Sequence, residues 1–261
     1  MKIGMPTLVE FEDLEQNISF CKSLGLDFIE LNMNLPIFTP EKLRSNDIAE
    51  ISQQYGIEFS IHLPEELDLT SFQPPVRKGH LDRCKEVLFW ANEAGIKILN
   101  MHFNNGIYFT LPDCKVWINE KFETEFTELL VDSYEELNKL ANSLGVLLCI
   151  ENTGNFHIPF VQRSLDRLNL YDNVFLTWDV GHDAKANFVE EPFFNKRIDR
   201  IRHMHLHDYN GKSDHQSLYS GIVPINSRLT FAREHNVSVV IEVKTRKALE
   251  ESIIQIRERF Q

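Results

Sequence analysis

Between His203 and His215 the chain reads HMHLHDYNGKSDH, which packs four of its ten histidines and two aspartates into a single short run. On a β-strand His203, His205 and His207 would share one face, with Met204 and Leu206 on the other. Asp208, a turn at Tyr209-Asn210-Gly211-Lys212, then Asp214 and His215 follow directly. Imidazoles and carboxylates crowded at a strand end have the donor chemistry of a metal site. A polar strand end with solvated histidines is the alternative reading. Elsewhere His62, His102, Glu151, Asp179 and Glu242 each sit at the end of an apolar run, and His182 follows Asp179 by three residues.

Positioning these groups falls to a repeated unit. CKSLGLDFIELN, SQQYGIEFSIHLP, ANEAGIKILNMHF, ANSLGVLLCIENT and REHNVSVVIEVK each pass from a helix-like stretch through Gly or Asn into an apolar strand. Gly25, Gly56, Gly95, Gly145 and Asn236 stand where the residue after a helix needs positive φ. The spacing between copies is that of a βα unit with a loop of variable length. Strands are predicted at 2–8, 27–33, 58–64, 98–104, 146–152, 174–179, 202–206 and 238–243. Thr39-Pro40-Glu41 reads as a helix start, and 79–94, 119–144 and 249–260 carry helical apolar spacing. Strict alternation predicts an α/β chain folded as a single (β/α)8 TIM barrel over residues 1–261. No GxGxxG or Walker-type loop follows an early strand to support a doubly wound sheet.

In such a barrel the C-terminal strand ends converge on one mouth. Those ends carry Asn32, His62, His102, Glu151, Asp179, His205 and Glu242. Their register agrees: His62, Glu151 and Glu242 lie six residues after Gly56, Gly145 and Asn236, and His102 lies seven after Gly95. One buried carboxylate is satisfied by an ion pair, and Lys97, Arg202 and Lys244 are the available partners. Three together, Glu151, Asp179 and Glu242, require a cation to offset their mutual repulsion. A bound divalent metal is therefore expected. His157 and His207 are candidates to line the pocket, His203 reads as a core hydrogen-bonding residue, and His80 and Asn32 read as structural. Loops 105–116, 154–160 and 209–223 and their borders carry Tyr108, Phe109, Trp117, Phe156 and Tyr219. These aromatics either cover a small-molecule pocket or pack among themselves.

Lys and Arg total 27 against 39 Asp and Glu, a formal charge of −12. Such a surface repels polyanions unless a basic patch or bound cations reverse the field locally. This weighs against nucleic acid and toward a small-molecule partner; oligomeric state is not legible. No apolar run has the length of a membrane span. The opening residues lack the apolar stretch of a signal peptide. The four cysteines show no CxxC pairing, so a reduced, cytoplasmic setting is expected.

The strings IHLP (61–64), MHF (101–103), IENT (150–153), WDVGH (178–182), HLHD (205–208), SDHQSLYSG (213–221) and IEV (241–243) together resemble the xylose-isomerase-like barrel superfamily. The resemblance spans essentially the whole chain. That superfamily holds small sugar isomerases and epimerases, related dehydratases, and AP endonucleases of the endonuclease IV type. It implies that Glu151, Asp179, His205 and Glu242 are metal ligands. It also implies that His182 meets substrate or a further zinc, and that His62, His102 and His215 match zinc ligands of the endonuclease branch. Two departures stand out. Ser213 occupies a position often held by Asp, and Leu218-Tyr219-Ser220-Gly221 replaces a Leu-Gly-Glu-Gly loop. Both argue against a complete trinuclear site.

Two activities are expected from this. The first is an isomerase or epimerase of a small sugar or related hydroxy-carbonyl compound, using one Mn, Mg, Co or Zn ion. Glu151 and Glu242 would be its catalytic residues, moving a proton off and onto carbon through an enediolate. A dehydratase would share the proton abstraction. The second is a phosphodiesterase acting on abasic DNA with up to three Zn ions. His62, His102, His182 and His215 would supply the extra ligands, whereas in an isomerase they would bind substrate. The loops at 9–13 and 34–39 hold no Lys or Arg, which disfavours gripping a duplex.

Overall fold

Ten strands run in chain order through the computed structural model, which describes residues 1–260. They are β1 (Ile3–Pro6), β2 (Phe28–Asn32), β3 (Glu58–His62), β4 (Ile98–His102), β5 (Tyr108–Thr110), β6 (Lys115–Trp117), β7 (Leu147–Glu151), β8 (Val174–Asp179), β9 (Ile201–Leu206) and β10 (Ser238–Ile241). Eight of them close into a barrel in the order β1-β10-β9-β8-β7-β4-β3-β2, while β5 and β6 form a separate two-stranded sheet. Every barrel pairing is parallel. The helices are α1 (Leu14–Ser23), α2 (Ser45–Tyr55), α3 (Pro74–Glu93), α4 (Ile118–Lys121), α5 (Glu123–Leu144), α6 (Pro159–Leu168), α7 (Val180–Lys185), α8 (Glu191–Asn195), α9 (Ile225–Glu234) and α10 (Arg246–Arg259). The single (β/α)8 TIM barrel expected from the alternation is what forms.

Parallel strands flanked by helices are buried on both faces, so their sequences are nearly continuous apolar runs. Polar residues inside those runs must therefore face the barrel interior and find partners there. Along β9, Met204 and Leu206 are fully buried among hydrophobic neighbours, and His203 and His205 are equally buried on the opposite face. Outside the sheet, Trp178 stacks on Phe194 at 4.9 Å and 14°, with the Arg228 guanidinium 4.4 Å from its ring centre.

The helix-to-strand stops take the expected form. Gly25, Gly56, Gly95, Gly145 and Asn236 have φ of 62°, 64°, 76°, 65° and 53°. At Gly145 the left-handed residue returns its N–H to Ala141 and Asn142 carbonyls, ending α5 and starting the turn into β7. Three boundaries differ from expectation. Residues 39–41 form a turn, and α2 begins at Ser45. Helix α3 starts earlier, at Pro74, because proline at the first helical positions loses no hydrogen bond. The stretch 119–144 is broken at Phe122, whose φ of −110° and ψ of 41° separate α4 from α5. The loop after β4, expected to be irregular, contains the β5–β6 hairpin.

Candidate metal centre at the barrel mouth

Glu151 ends β7, Asp179 ends β8, His205 lies one residue from the end of β9, and Glu242 directly follows β10. Pairing sets their height: Glu151 lies opposite Thr177, and Asp179 lies opposite His205. All four are at least 95% buried, and each offers one donor atom lying within 4.8 Å of the others. His205 Nδ1 stands 3.2 Å from Glu151 Oε1 and 3.3 Å from Glu242 Oε2. Two atoms that share a cation at about 2.1 Å sit roughly 3.0–3.4 Å apart, longer than a good charged hydrogen bond. Both His205 Nδ1 and Glu242 Oε2 are buried without a well-aligned hydrogen-bond partner. Buried polar atoms are rarely left so, and three carboxylates with one imidazole fit a divalent cation at this point.

Each of these four side chains is held from behind. Asn100 donates a short hydrogen bond to Glu151 Oε2 and is itself fixed by Thr177 Oγ1 at 2.6 Å. Lys244 Nζ donates to Glu242 Oε1 at 2.7 Å. Glu30 Oε1 lies 2.8 Å from His205 Nε2. Asp179 Oδ1 caps α7 by accepting the His182 N–H at 2.6 Å, which explains why an aspartate ends this strand. Asn152 clamps the Asp179 backbone, accepting its N–H at 2.7 Å and donating to its carbonyl at 2.9 Å. Glu190 in turn accepts from Asn152 Nδ2 at 2.7 Å.

The electrostatics follow from burial and these contacts. Burial alone would raise the Glu151 carboxyl, but His205 and His102 outweigh it and hold it well below the usual range. Glu242 is treated likewise by Lys244 and His205, and Asp179 is lowered by His182 and His207. Burial would lower the His205 imidazole, yet Glu151, Glu30 and Glu242 drive it well above its ordinary value. All three carboxylates are thus ionised in the neutral range. Glu190 goes the other way: burial dominates and raises its carboxyl to about 7.

The remaining histidines divide into two groups. His62 donates from Nδ1 to the Leu63 carbonyl at 2.7 Å, which turns Nε2 toward Glu151 Oε2 at 3.3 Å. His102 Nε2 lies 3.6 Å from the other Glu151 oxygen. His215 donates from Nδ1 to the Glu242 carbonyl at 2.9 Å, and His182 Nδ1 lies 3.2 Å from Asp179 Oδ2. The mouth therefore gathers His62, His102, His182 and His215 around the four central groups. The others lie apart from it. His203 is a buried link between Ser238 Oγ at 2.6 Å and Glu30 Oε2 at 2.9 Å. His80 accepts the Asp68 N–H at 2.9 Å, and His157 is exposed. Asn32 Oδ1 accepts the Asn34 N–H at 2.9 Å, a turn contact at the rim.

Several expectations change at this level. His207 does not line the pocket; it is fully buried behind Asp179. Phe156 belongs to the core, 5.1 Å from Phe193 and 5.6 Å from Phe194, so it covers nothing. Tyr219 hydrogen-bonds Asn226, away from the mouth. Asp208 anchors the following loop by accepting the N–H groups of Tyr209, Gly221 and Val223, and Asp214 pairs with Lys185 at 2.8 Å. Of the suggested carboxylate partners only Lys244 serves. Lys97 and Arg202 line a cavity of 620 Å3 whose other residues include Lys2 and Ser238, at the starts of β1 and β10. Glu30 and Asn100 escaped the sequence reading. Each is a polar residue inside an apolar strand, FIELN and ILNMH, and that interruption was the available signal.

Residues 18–259 match the description of a xylose isomerase-like TIM barrel. The chain is 25% identical over 254 residues to an uncharacterised protein of Methanocaldococcus jannaschii, covering 94% of this chain and 93% of that one. Among solved structures, a D-tagatose 3-epimerase-like protein superposes with a TM-score of 0.78 at 23% identity, over 98% of this chain and 96% of that one. The IolI protein, solved with a bound zinc atom, gives 0.73 at 19% identity over 99% and 96%. The structural likenesses speak to the fold, and the sequence match reaches further: the chain belongs to the xylose isomerase-like TIM barrel family.

Proposed function

We propose that this chain is a divalent-metal-dependent isomerase or epimerase of a small sugar or related hydroxy-carbonyl compound. The observation that carries this reading is the approach of Glu151 and Glu242 to one point from neighbouring sides of His205, at 3.2 and 3.3 Å from Nδ1. A divalent ion held by Glu151, Asp179, His205 and Glu242 would polarise a substrate carbonyl and acidify the adjacent C–H. Both glutamates are ionised and so ready to act as bases. One takes the proton from carbon, while the other accepts the substrate hydroxyl's proton and returns it to the same carbon from the opposite face; the first then gives its proton back to the hydroxyl oxygen. Lys244 on Glu242 and Asn100 on Glu151 fix the direction of each carboxylate. His182 and His215, each about one-fifth exposed, offer imidazoles for substrate hydroxyls. A cavity of 370 Å3 opens beside Lys244 and is lined by Thr7, Asn32 and Asn34, a volume suited to a small ligand. Solved neighbours that include an epimerase-like protein and a zinc-binding protein are consistent with this. Among the described residues no helix is long and apolar enough to cross a membrane.

One observation favours a second reading. His62 Nε2 and His102 Nε2 lie 3.3 and 3.6 Å from the two Glu151 oxygens, and His62, Glu151 and His205 each offer a donor atom within 4.8 Å of the others, which would suit a second cation. An AP endonuclease of the zinc-dependent phosphodiesterase kind would use it. Metal content per chain, with turnover on a panel of ketoses and on abasic-site DNA, separates the two. One ion with carbon epimerisation is expected; three zinc ions with strand cleavage would overturn the isomerase reading.

A further inference from the structure

We propose that His207 is a positioning residue: an imidazole in the Nε2–H form that holds Asp179 and His215 in place and does not itself ligate a metal. This rests on the reading of Asp179 as a ligand. Ring nitrogens of His182, His207 and His215 lie within 4.8 Å of one another, so proximity alone would group all three as ligands. The hydrogen bonding separates them. The His215 backbone N–H donates to His207 Nδ1 at 2.9 Å. A peptide N–H can only donate, so Nδ1 holds its lone pair there and is already engaged. The ring proton therefore sits on Nε2, which faces both oxygens of Asp179, 3.2 Å from Oδ1 and 3.3 Å from Oδ2. Neither nitrogen is left for a cation. His215 is arranged oppositely: its Nδ1 gives a proton to the Glu242 carbonyl, which leaves Nε2 as the ring's acceptor.

The surroundings are shaped for this ring. His207 is fully buried. One side lies against Gly181, where an added Cβ would come within 2.0 Å of ring carbon Cε1. The other lies against the His215 ring, with centroids 4.0 Å apart. To present its amide, His215 adopts a φ of 53°, a left-handed conformation uncommon outside glycine. One imidazole thus joins the end of β8 to the loop after β9, and partners of this kind orient metal ligands and tune affinity.

The test combines long-range 1H–15N imidazole spectra of the wild-type protein, without and with Zn2+, and Co2+ titrations of wild type, His207→Leu and His207→Gln. Glutamine places an amide N–H near the ring Nε2 position. His207 should show the Nε2–H pattern in both spectra. Co2+ affinity should fall about 10–100-fold in the leucine variant, with shifted d–d bands, and recover in the glutamine variant. A His207 resonance that moves to a coordinated value on adding Zn2+ overturns the proposal. So does a leucine variant with wild-type affinity and spectrum. If the leucine variant does not fold, the wild-type spectra still decide. A wild type that takes up neither metal would overturn the metal-centre reading, while the metal-free spectrum would still test the tautomer.

Discussion

From β7 round to β10 the barrel mouth is lined by ionisable groups that touch one another: Glu151, Asp179, His205 and Glu242. From β1 to β2 it is lined by Thr7, Asn32, Asn34, Leu8 and Leu35 around an open volume of 370 Å3. Each side chain of the first wall has a polar or charged neighbour behind it, and charge there is balanced within a few ångströms. The second carries two charged groups, Lys244 and Glu65, the latter engaged by Asn34 at 3.2 Å. The difference assigns them different work. On the proposed function the braced wall would carry chemistry, whose energetics depend on fixed charge, and the open wall would carry shape, which decides what enters. Lys244 belongs to both, lining the cavity while it holds Glu242.

The comparison is broken most directly at Glu242. Glu242→Gln should lower kcat about 10³-fold, roughly 4 kcal/mol, with KM changed only a few-fold. Turnover at the wild-type rate would remove Glu242 from proton transfer. Behind the same wall, Glu190 provides a pH test. Its raised value of about 7 means that burial favours the protonated form. That contribution to stability is intact below pH 4.5 and lost as pH rises to about 7, by about 3 kcal/mol at most. Glu190→Gln should therefore gain stability relative to wild type between pH 5 and pH 8 in denaturant titrations, on top of a pH-independent offset. A constant difference would exclude the assignment.

Metal binding should stabilise the folded chain by about 2.7 kcal/mol at 100 times Kd. Because His205 is raised by three carboxylates, the ion competes with a proton, and binding should tighten as pH rises. Calorimetry in buffers of different ionisation enthalpy reads the proton released, and uptake without release would contradict this. The smallest effect belongs to the open wall. Asn34→Ala removes about 1 kcal/mol of bonding to Glu65 and should raise KM two- to ten-fold with kcat unchanged. A loss confined to kcat would dissolve the contrast between the walls.

The barrel was legible because one local rule repeats: helix, left-handed residue, apolar strand, polar end. The common height of Glu151 and Glu242 followed from that rule, since each lies six residues after its helix stop; Asp179 and His205 joined them as the ends of predicted strands. What stayed hidden depends on contacts between units. Glu30 meets His205 across the barrel, from a strand more than 170 residues earlier in the chain, and no local pattern announces that. His207 looked like a mouth residue because it follows His205 by two. It is buried because Gly181 leaves room for its ring. Phe156 looked like a lid because it lies in a loop, but the aromatic cluster beneath α8 draws it inward.

The helix stops at Gly56, Gly95, Gly145 and Asn236 carry a consequence for how the chain can vary. Between stop and mouth residue the chain runs six residues, or seven before His102, and within the strand itself side chains alternate. Adding or deleting one residue inside the paired strand would turn His62, His102, Glu151 or Glu242 out of the barrel and into the helical layer. These segments should accept substitutions but not insertions or deletions. The loops beyond the strand ends, such as the one that accommodates β5 and β6, are free to change length. Related chains that differ in size should differ on the mouth side of these residues and keep similar spacing on the other.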